Sequence, residues 1–416
     1  MEKTLFIIIL VIIVLDFALD RVMDYLNASR WSNVLPDELK GIYNEEKYRK
    51  SQDYSRINQR FGLITSSLSF LLILAMLLFN GFGWLDGWIR QFTENPILMA
   101  MLFFVIVGLA SDLISTPFDA YDTFVIEERF GFNRTTVRTY ILDKLKGWLL
   151  AVVIGGALLA IFVWFYHAAG ALFWLYAWLF VTGFSIFMMM FYSTLIVPLF
   201  NKQTPLDDGE LRNAIEAFAE KAGFKLDNIF VIDGSKRSTK ANAYFSGLGP
   251  KKRIVLFDTL IKDHTTEELV AVLAHEIGHY KKKHTLKGML MSVVTTGMML
   301  FLLGLFLNRP ELSMVLGAKE ASFHMGILAF GLLYAPVTLL LGIMGNRQSR
   351  KYEYEADAFA AAKYASIPLQ DALMKLSVNN LSNLRPHPAY VYLHYSHPPL
   401  LQRLAHLKKF ERHDAE

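Results

Sequence analysis

The chain has 416 residues, 53% of them hydrophobic, and only 19% are charged, against roughly 25% in a soluble domain, so the balance points to a membrane. A net charge of +4 is too small to argue for nucleic acid, and none is expected as a partner. The absence of cysteine excludes disulfides and thiolate metal sites, leaving His, Asp and Glu as ligands for any metal.

Seven stretches are apolar enough for the roughly 20 residues that a bilayer requires: 4–23, 62–84, 97–117, 147–169, 171–198, 286–308 and 322–345. The first contains Asp16 and lacks a small-residue cleavage site after it, so it reads as an anchor rather than a signal peptide. Lys and Arg concentrate in the loop after the first stretch (Arg21, Arg30, Lys40, Lys47, Arg49, Lys50, Arg56, Arg60) and in the loop after the third (Arg129, Arg134, Arg138, Lys144, Lys146). By the positive-inside rule these loops are cytosolic, the N-terminus is outside and the C-terminus inside. Asp112 lies in the third stretch, where a carboxylate needs an aqueous cavity or a partner. Two Asn-x-Ser/Thr patterns, at Asn27 and Asn133, fall in predicted cytosolic loops and read as chance.

The expected organisation is therefore membrane helices one to five over 1–198, a first polar segment over 199–285, helices six and seven over 286–345, and a second polar segment over 346–416. Both polar segments fall on the cytosolic side and can join in one domain. In the first, Glu210–Gly223 has a helical period with Leu211, Ile215 and Phe218 on one face. Phe230–Asp233, Ala241–Phe245 and Arg253–Asp258 read as short strands, the last two joined by a hairpin at Gly247–Lys252. A helix then opens at Thr265-Thr266-Glu267-Glu268, which has the form of a capping box.

That helix carries His275-Glu276-Ile277-Gly278-His279. Histidines four apart stand one turn above each other, so both imidazoles reach one zinc, while Glu276, offset by one residue, flanks the metal as a general base toward water. Chance alone seldom gives this pattern in a chain of this make-up, and an ordinary helix with two exposed histidines is the competing reading. Catalytic zinc takes a third protein ligand. Downstream, Glu353 and Asp357 are four apart on one helix face, so that one carboxylate can bind metal while the other supports a ligand histidine. The same spacing also suits a solvated face paired with Arg350 or Lys351. Glu355 points about 200° from Glu353 around the helix, toward Lys351, and is expected on the solvent side.

Longer runs are more specific than this motif: Glu127–Asn133, Pro198–Lys202, Ala241–Phe245, Arg253–Thr259 and His394-Tyr395-Ser396-His397-Pro398-Pro399-Leu400. Through them nearly the whole chain resembles the type I CAAX prenyl proteases, integral-membrane zinc metalloendopeptidases. The resemblance implies seven transmembrane helices around a chamber, with a small α+β zincin-like domain on the cytosolic side. It implies one zinc per chain on His275, His279 and Glu353, with Glu276 as base and Asp357 in support. It implies that His397 stabilises the oxyanion, where the plain reading is a histidine ahead of a Pro-Pro helix start. It also implies that Asn242, Ala243, Tyr244 and Phe245 form an edge strand along the substrate cleft, on which an extended peptide can add.

The substrate so implied is a prenylated or otherwise lipid-anchored peptide, processed near its C-terminus at the bilayer. The chain is shorter than eukaryotic members and ends without an ER-retrieval tetrapeptide. A bacterial cytoplasmic membrane is therefore expected, with the ER membrane as the alternative, and in a bacterium another native substrate. Two other readings compete: a quality-control protease acting on misfolded or stalled membrane chains, and a non-enzymatic transporter or scaffold, against which the intact motif argues.

Overall fold

The computed structural model describes residues 2–224, 229–247 and 253–411. Helix α1 spans Glu2–Ala28. Helix α2, Glu45–Leu78, starts where the Asn44 side chain accepts the Lys47 backbone N–H at 2.8 Å. It is far longer than the apolar window 62–84, because its first half is a polar helix that carries on into the membrane segment. The chain breaks at Asn80, whose φ is +56°, and turns into α3, Gly81–Ile89. A Cβ on Gly83 would lie 2.4 Å from the Gly317 carbonyl oxygen, so only glycine allows that approach. Helix α4, Pro96–Tyr121, passes through a wider π-type turn at Asp122–Glu127 into α5, Glu128–Phe130. Helix α6, Val137–Leu150, continues through a second such turn, Ala151–Gly155, into α7, Gly156–Ala169. Gly170, with φ +52°, reverses the chain into α8, Phe173–Leu195.

Among the described residues, five helical stretches are long and apolar enough to cross a membrane: Glu45–Leu78, Pro96–Phe130, Val137–Leu199, His284–Leu307 and Phe323–Lys363. The chain is thus a multi-pass helical membrane protein. The expected stretches 147–169 and 171–198 fall inside the third of these and fold back at Gly170. The charge-bearing α1 is not among the five. Phe82, Phe103, Phe173, Leu300 and Met325 form the buried core between helices. Leu71, Leu149, Trp164 and Leu340 point outward, as side chains facing lipid do. Asp112 has found partners: Lys144 at 2.8 Å and the Trp148 indole N–H at 3.0 Å.

The remaining elements build the second module. They are β1 (Gln203–Pro205), α9 (Glu210–Lys221), β2 (Ile229–Ile232), β3 (Ala243–Ser246), β4 (Arg253–Phe257), α10 (Asp258–Asp263) and α11 (Thr266–Lys281). Helices α12 (His284–Leu307) and α13 (Pro310–Met314) lead to α14 (Phe323–Lys363), followed by α15 (Ser366–Asn379), α16 (Pro388–His394) and α17 (Leu400–Leu407). The sheet order is β1-β2-β4-β3, with β2 and β4 parallel and the other pairs antiparallel. The three expected strands form within two residues of their expected ends, while the hairpin link beyond Gly247 lies outside the described residues. Strand β1 is too short to leave a periodic signal. Strand β3 is an edge.

One apolar core draws Ile215, Ile254, Leu256, Leu269, Leu273 and Ile277 together with Ala360, Leu369 and Leu407, so the two polar segments fold as a unit. Arg237 ties this unit to the membrane part, its Nε and Nη2 donating to Asp143 at 2.8 and 2.9 Å.

Candidate metal centre

Helix α11 is fixed at its start by the expected capping box: the Thr265 hydroxyl accepts from the Glu268 N–H and the Glu268 carboxylate from the Thr265 N–H. Its helical period then puts His275 and His279 on one side. Opposite them runs α14, 41 residues long and about 60 Å at 1.5 Å per residue. The helix does not stop where its apolar stretch ends, so Glu353 and Asp357 are carried on the extension of a membrane helix. The two helices meet at Gly278. A Cβ there would lie 3.1 Å from the Ala356 Cα and 3.2 Å from both the Ala356 carbonyl oxygen and the Phe359 Cβ. Glycine lets the histidine-bearing turn settle onto the carboxylate-bearing one.

The result is a cluster of three side chains with ligand atoms converging. His275 Nε2 and His279 Nε2 are 3.1 Å apart, His279 Nε2 and Glu353 Oε1 3.3 Å, and His275 Nε2 and Glu353 Oε2 3.5 Å. Tetrahedral ligands at about 2.0–2.1 Å from zinc stand about 3.3–3.4 Å apart, and one ligand atom from each of the three residues lies within 4.8 Å of the others, so the donor set suits the metal. Glu353 Oε2 is buried and, among the described residues, has no hydrogen-bond partner, as suits a ligand atom. Burial alone would raise the Glu353 carboxyl, but His275, His279 and Arg403 hold it well below the usual range, and it is ionised.

The surroundings hold these ligands in place. Asp357, fully buried, accepts from His275 Nδ1 at 2.9 Å, which orients the ring with Nε2 toward the other ligands. Burial would lower the His275 imidazole, yet the Asp357 and Glu353 carboxylates outweigh it and raise it to about 9, so a metal that takes Nε2 displaces a proton there. Arg403 was not anticipated. Its Nε and Nη2 donate to Asp357 at 2.9 and 2.6 Å, and its Nη1 lies 3.4 Å from Glu353 Oε2. A signal for it exists in the sequence: Arg403 shares a helix face with Leu400, Leu404 and Leu407, all buried, and a guanidinium on an apolar face calls for a buried acid. Burial pushes the Glu276 carboxyl above its ordinary range, making it a stronger base than an exposed carboxylate.

A cleft of about 920 Å³ opens over the cluster and is lined by Glu276, Asn242, Ala243, Phe245, His397 and Arg403. His397 Nε2 is 3.4 Å from Glu353 Oε1, and its side chain is 64% exposed. It stands at the ligands yet remains free toward the cleft. Of the four edge-strand candidates, Tyr244 turns its side chain the other way, its hydroxyl 3.5 Å from Gln203 Nε2, as strand alternation requires. The expectation for Glu355 holds in part. Its pairing with Lys351 exists, at 3.8 Å, but its other oxygen lies 3.0 Å from Nε2 of the buried His284. The helical-wheel argument considered α14 alone, and the start of α12 packs on that flank.

Residues 24–202 match the family model described as CAAX prenyl protease N-terminal, five membrane helices. Residues 205–411 match that of peptidase family M48. The chain is 37% identical over 378 residues to an Arabidopsis thaliana CAAX prenyl protease 1 homolog, covering 89% of each. It is 34% identical over 421 residues to the Saccharomyces cerevisiae CAAX prenyl protease 1, covering 94% of this chain and 92% of that protein. The crystal structure of S. mikatae Ste24p superposes with a TM-score of 0.92 at 33% identity, over 97% of this chain and 99% of that one. These relatives are eukaryotic and lend the bacterial expectation no support.

Proposed function

The chain belongs to peptidase family M48, among the CAAX prenyl protease 1 homologues, and on that premise we propose that it holds one zinc ion with His275, His279 and Glu353 and cleaves peptides in the cleft above them. It is a membrane metalloendopeptidase; the ligands, the roles of single residues and the substrate are our reading. The observation that carries it is the convergence of the three side chains, with the two histidine Nε2 atoms 3.1 Å apart and each within 3.5 Å of a Glu353 carboxylate oxygen, and with Glu276 in the same cleft.

Zinc, when bound, supplies Lewis acidity and lowers the pKa of water. Everything else is the work of the chain. Edge strand β3, with Asn242 just ahead of it, offers its backbone as far as Phe245 to an extended peptide, holding the scissile amide over the ligands. The Glu276 carboxylate takes the proton of the attacking water and hands it to the departing amine nitrogen. His397, exposed toward the cleft, donates a hydrogen bond to the oxygen that becomes negative as the carbonyl is attacked. Arg403 neutralises the buried Asp357, which keeps the His275 ring in one tautomer.

The finer architecture belongs to the same proposal. Seven helices, α1 included, cross the bilayer around a chamber. The segments 199–285 and 346–416 form a zincin-like domain on the cytosolic side, where Lys and Arg concentrate. The substrate we propose is a prenylated C-terminal CAAX peptide, the class for which the relatives are named. The test offers the purified, zinc-loaded protein a farnesylated CAAX peptide, its unprenylated twin and an unfolded membrane protein. Preferred cleavage of the farnesylated peptide is expected. Cleavage of the unfolded protein alone would favour a quality-control role.

A further inference from the structure

We propose that His284 and Glu355 form a relay that fixes the tautomer of His279 and so sets its affinity for the metal. This rests on His279 being a ligand. The relay begins at an unusual turn. Helix α11 ends at Lys281, Lys283 takes a left-handed conformation with φ +59°, and α12 starts at His284. A β-carbon is strained there, and the turn folds His284 back beneath the ligand five residues earlier. Its ring lies between two partners: Nδ1 is 3.1 Å from His279 Nδ1, and Nε2 is 3.0 Å from Glu355 Oε2. Tyr352 stacks on the ring, centroids 4.0 Å apart and planes 14° from parallel. His284 is buried, with its ring held on both edges and on one face. Lys351 lies 3.8 Å from Glu355 and Lys287 sits over the Tyr352 ring.

Proton placement follows by elimination. An ionised carboxylate only accepts, so His284 Nε2 carries the proton toward Glu355. A neutral imidazole has one N–H, so His284 Nδ1 is an acceptor and His279 Nδ1 must donate to it. His279 Nε2 is then left with a bare lone pair, facing His275 Nε2 and Glu353. Were His284 to donate from Nδ1 instead, His279 would carry its proton on Nε2 and could not bind a metal. The Asp357 contact does the same for His275 directly. The two ligands are thus oriented by different devices, one by a carboxylate and the other by a carboxylate acting through a second histidine.

The relay is tested by zinc affinity, measured by competition with a chromophoric chelator on the detergent-solubilised full chain. Leucine at 284 has the bulk but no acceptor, and His284→Leu should weaken zinc binding by roughly 10–100-fold, the usual loss when a ligand's supporting partner is removed. His284→Asn places an amide oxygen near the lost Nδ1 and should recover affinity to within a few-fold of the parent, a rescue that packing alone does not give. Glu355→Leu, at a site 32% exposed, should weaken zinc binding several-fold, and it tests the relay even if His284→Leu fails to fold. Parental affinity in both leucine variants, or a His284→Asn variant no better than His284→Leu, overturns the relay. His279→Ala is the control for the underlying reading: if it binds zinc like the parent, the ligand assignment itself is wrong, whatever His284 does.

Discussion

Replacing Gly278 tests whether the spacing of two helices sets the metal site. Alanine there brings a Cβ to 3.1 Å from the Ala356 Cα and 3.2 Å from its carbonyl oxygen. Ordinary carbon contacts begin near 3.5 Å, and both partners are backbone, so no side chain can rotate away. The helices must separate by about 0.3–0.4 Å to relieve the contact. Overpacking of this kind costs about 1–3 kcal/mol, and here it acts between the two histidines on α11 and the carboxylate on α14. The donor atoms now stand 3.1 to 3.5 Å apart, and the same separation would stretch the two His–Glu distances while leaving His275–His279 unchanged. Gly278→Ala should therefore lower both the melting temperature and zinc affinity, and Gly278→Val should lower both further. Chelator competition and thermal denaturation on the same preparations measure them. A Gly278→Val protein with parental zinc affinity would refute the idea that this contact governs ligand spacing.

Other outcomes follow from the same geometry. Glu276→Gln should keep zinc and lose turnover, since a carboxamide cannot take the proton; metal analysis and peptide cleavage on one sample decide it. Arg403→Leu leaves Asp357 buried without its cation and should cost about 3–5 kcal/mol of stability. Arg403→Lys should recover little of this, because an ammonium cannot make both bonds to one carboxylate; denaturation of the two variants distinguishes pairing from packing. Reporter fusions active only in the cytosol should work at the C-terminus and fail near His167, and the opposite pattern would put the proposed catalytic module on the wrong side.

The parts of the site that were legible in the sequence are those fixed by short-range helix geometry. The capping box at Thr265 and Glu268 needs only three-residue spacing, and the pairs His275/His279 and Glu353/Asp357 need only four. The helix face that carries Glu353 and Asp357 was readable for the same reason. What was hidden depends on how one element docks on another. Arg403 acquires its role only when α17 lies against α14. The second partner of Glu355 was hidden for the same reason, since nothing within α14 announces that His284 will pack beside it. The fold followed the same division. Apolar windows fell on the long apolar helices but did not show how far α2 and α14 run beyond them, because a polar continuation of a helix has no hydropathy signal. The break at Asn80 and the turn at Lys283 were hidden too, as both are left-handed turns at residues other than glycine.

The most direct test of the central claim is zinc stoichiometry, measured by elemental analysis on the purified parent and on His275→Ala, His279→Ala and Glu353→Ala after dialysis against the same low free zinc. The account predicts one zinc per chain in the parent and a severe loss in each variant. Retention of a full equivalent by any of the three, in a folded protein, would contradict the metal centre proposed here.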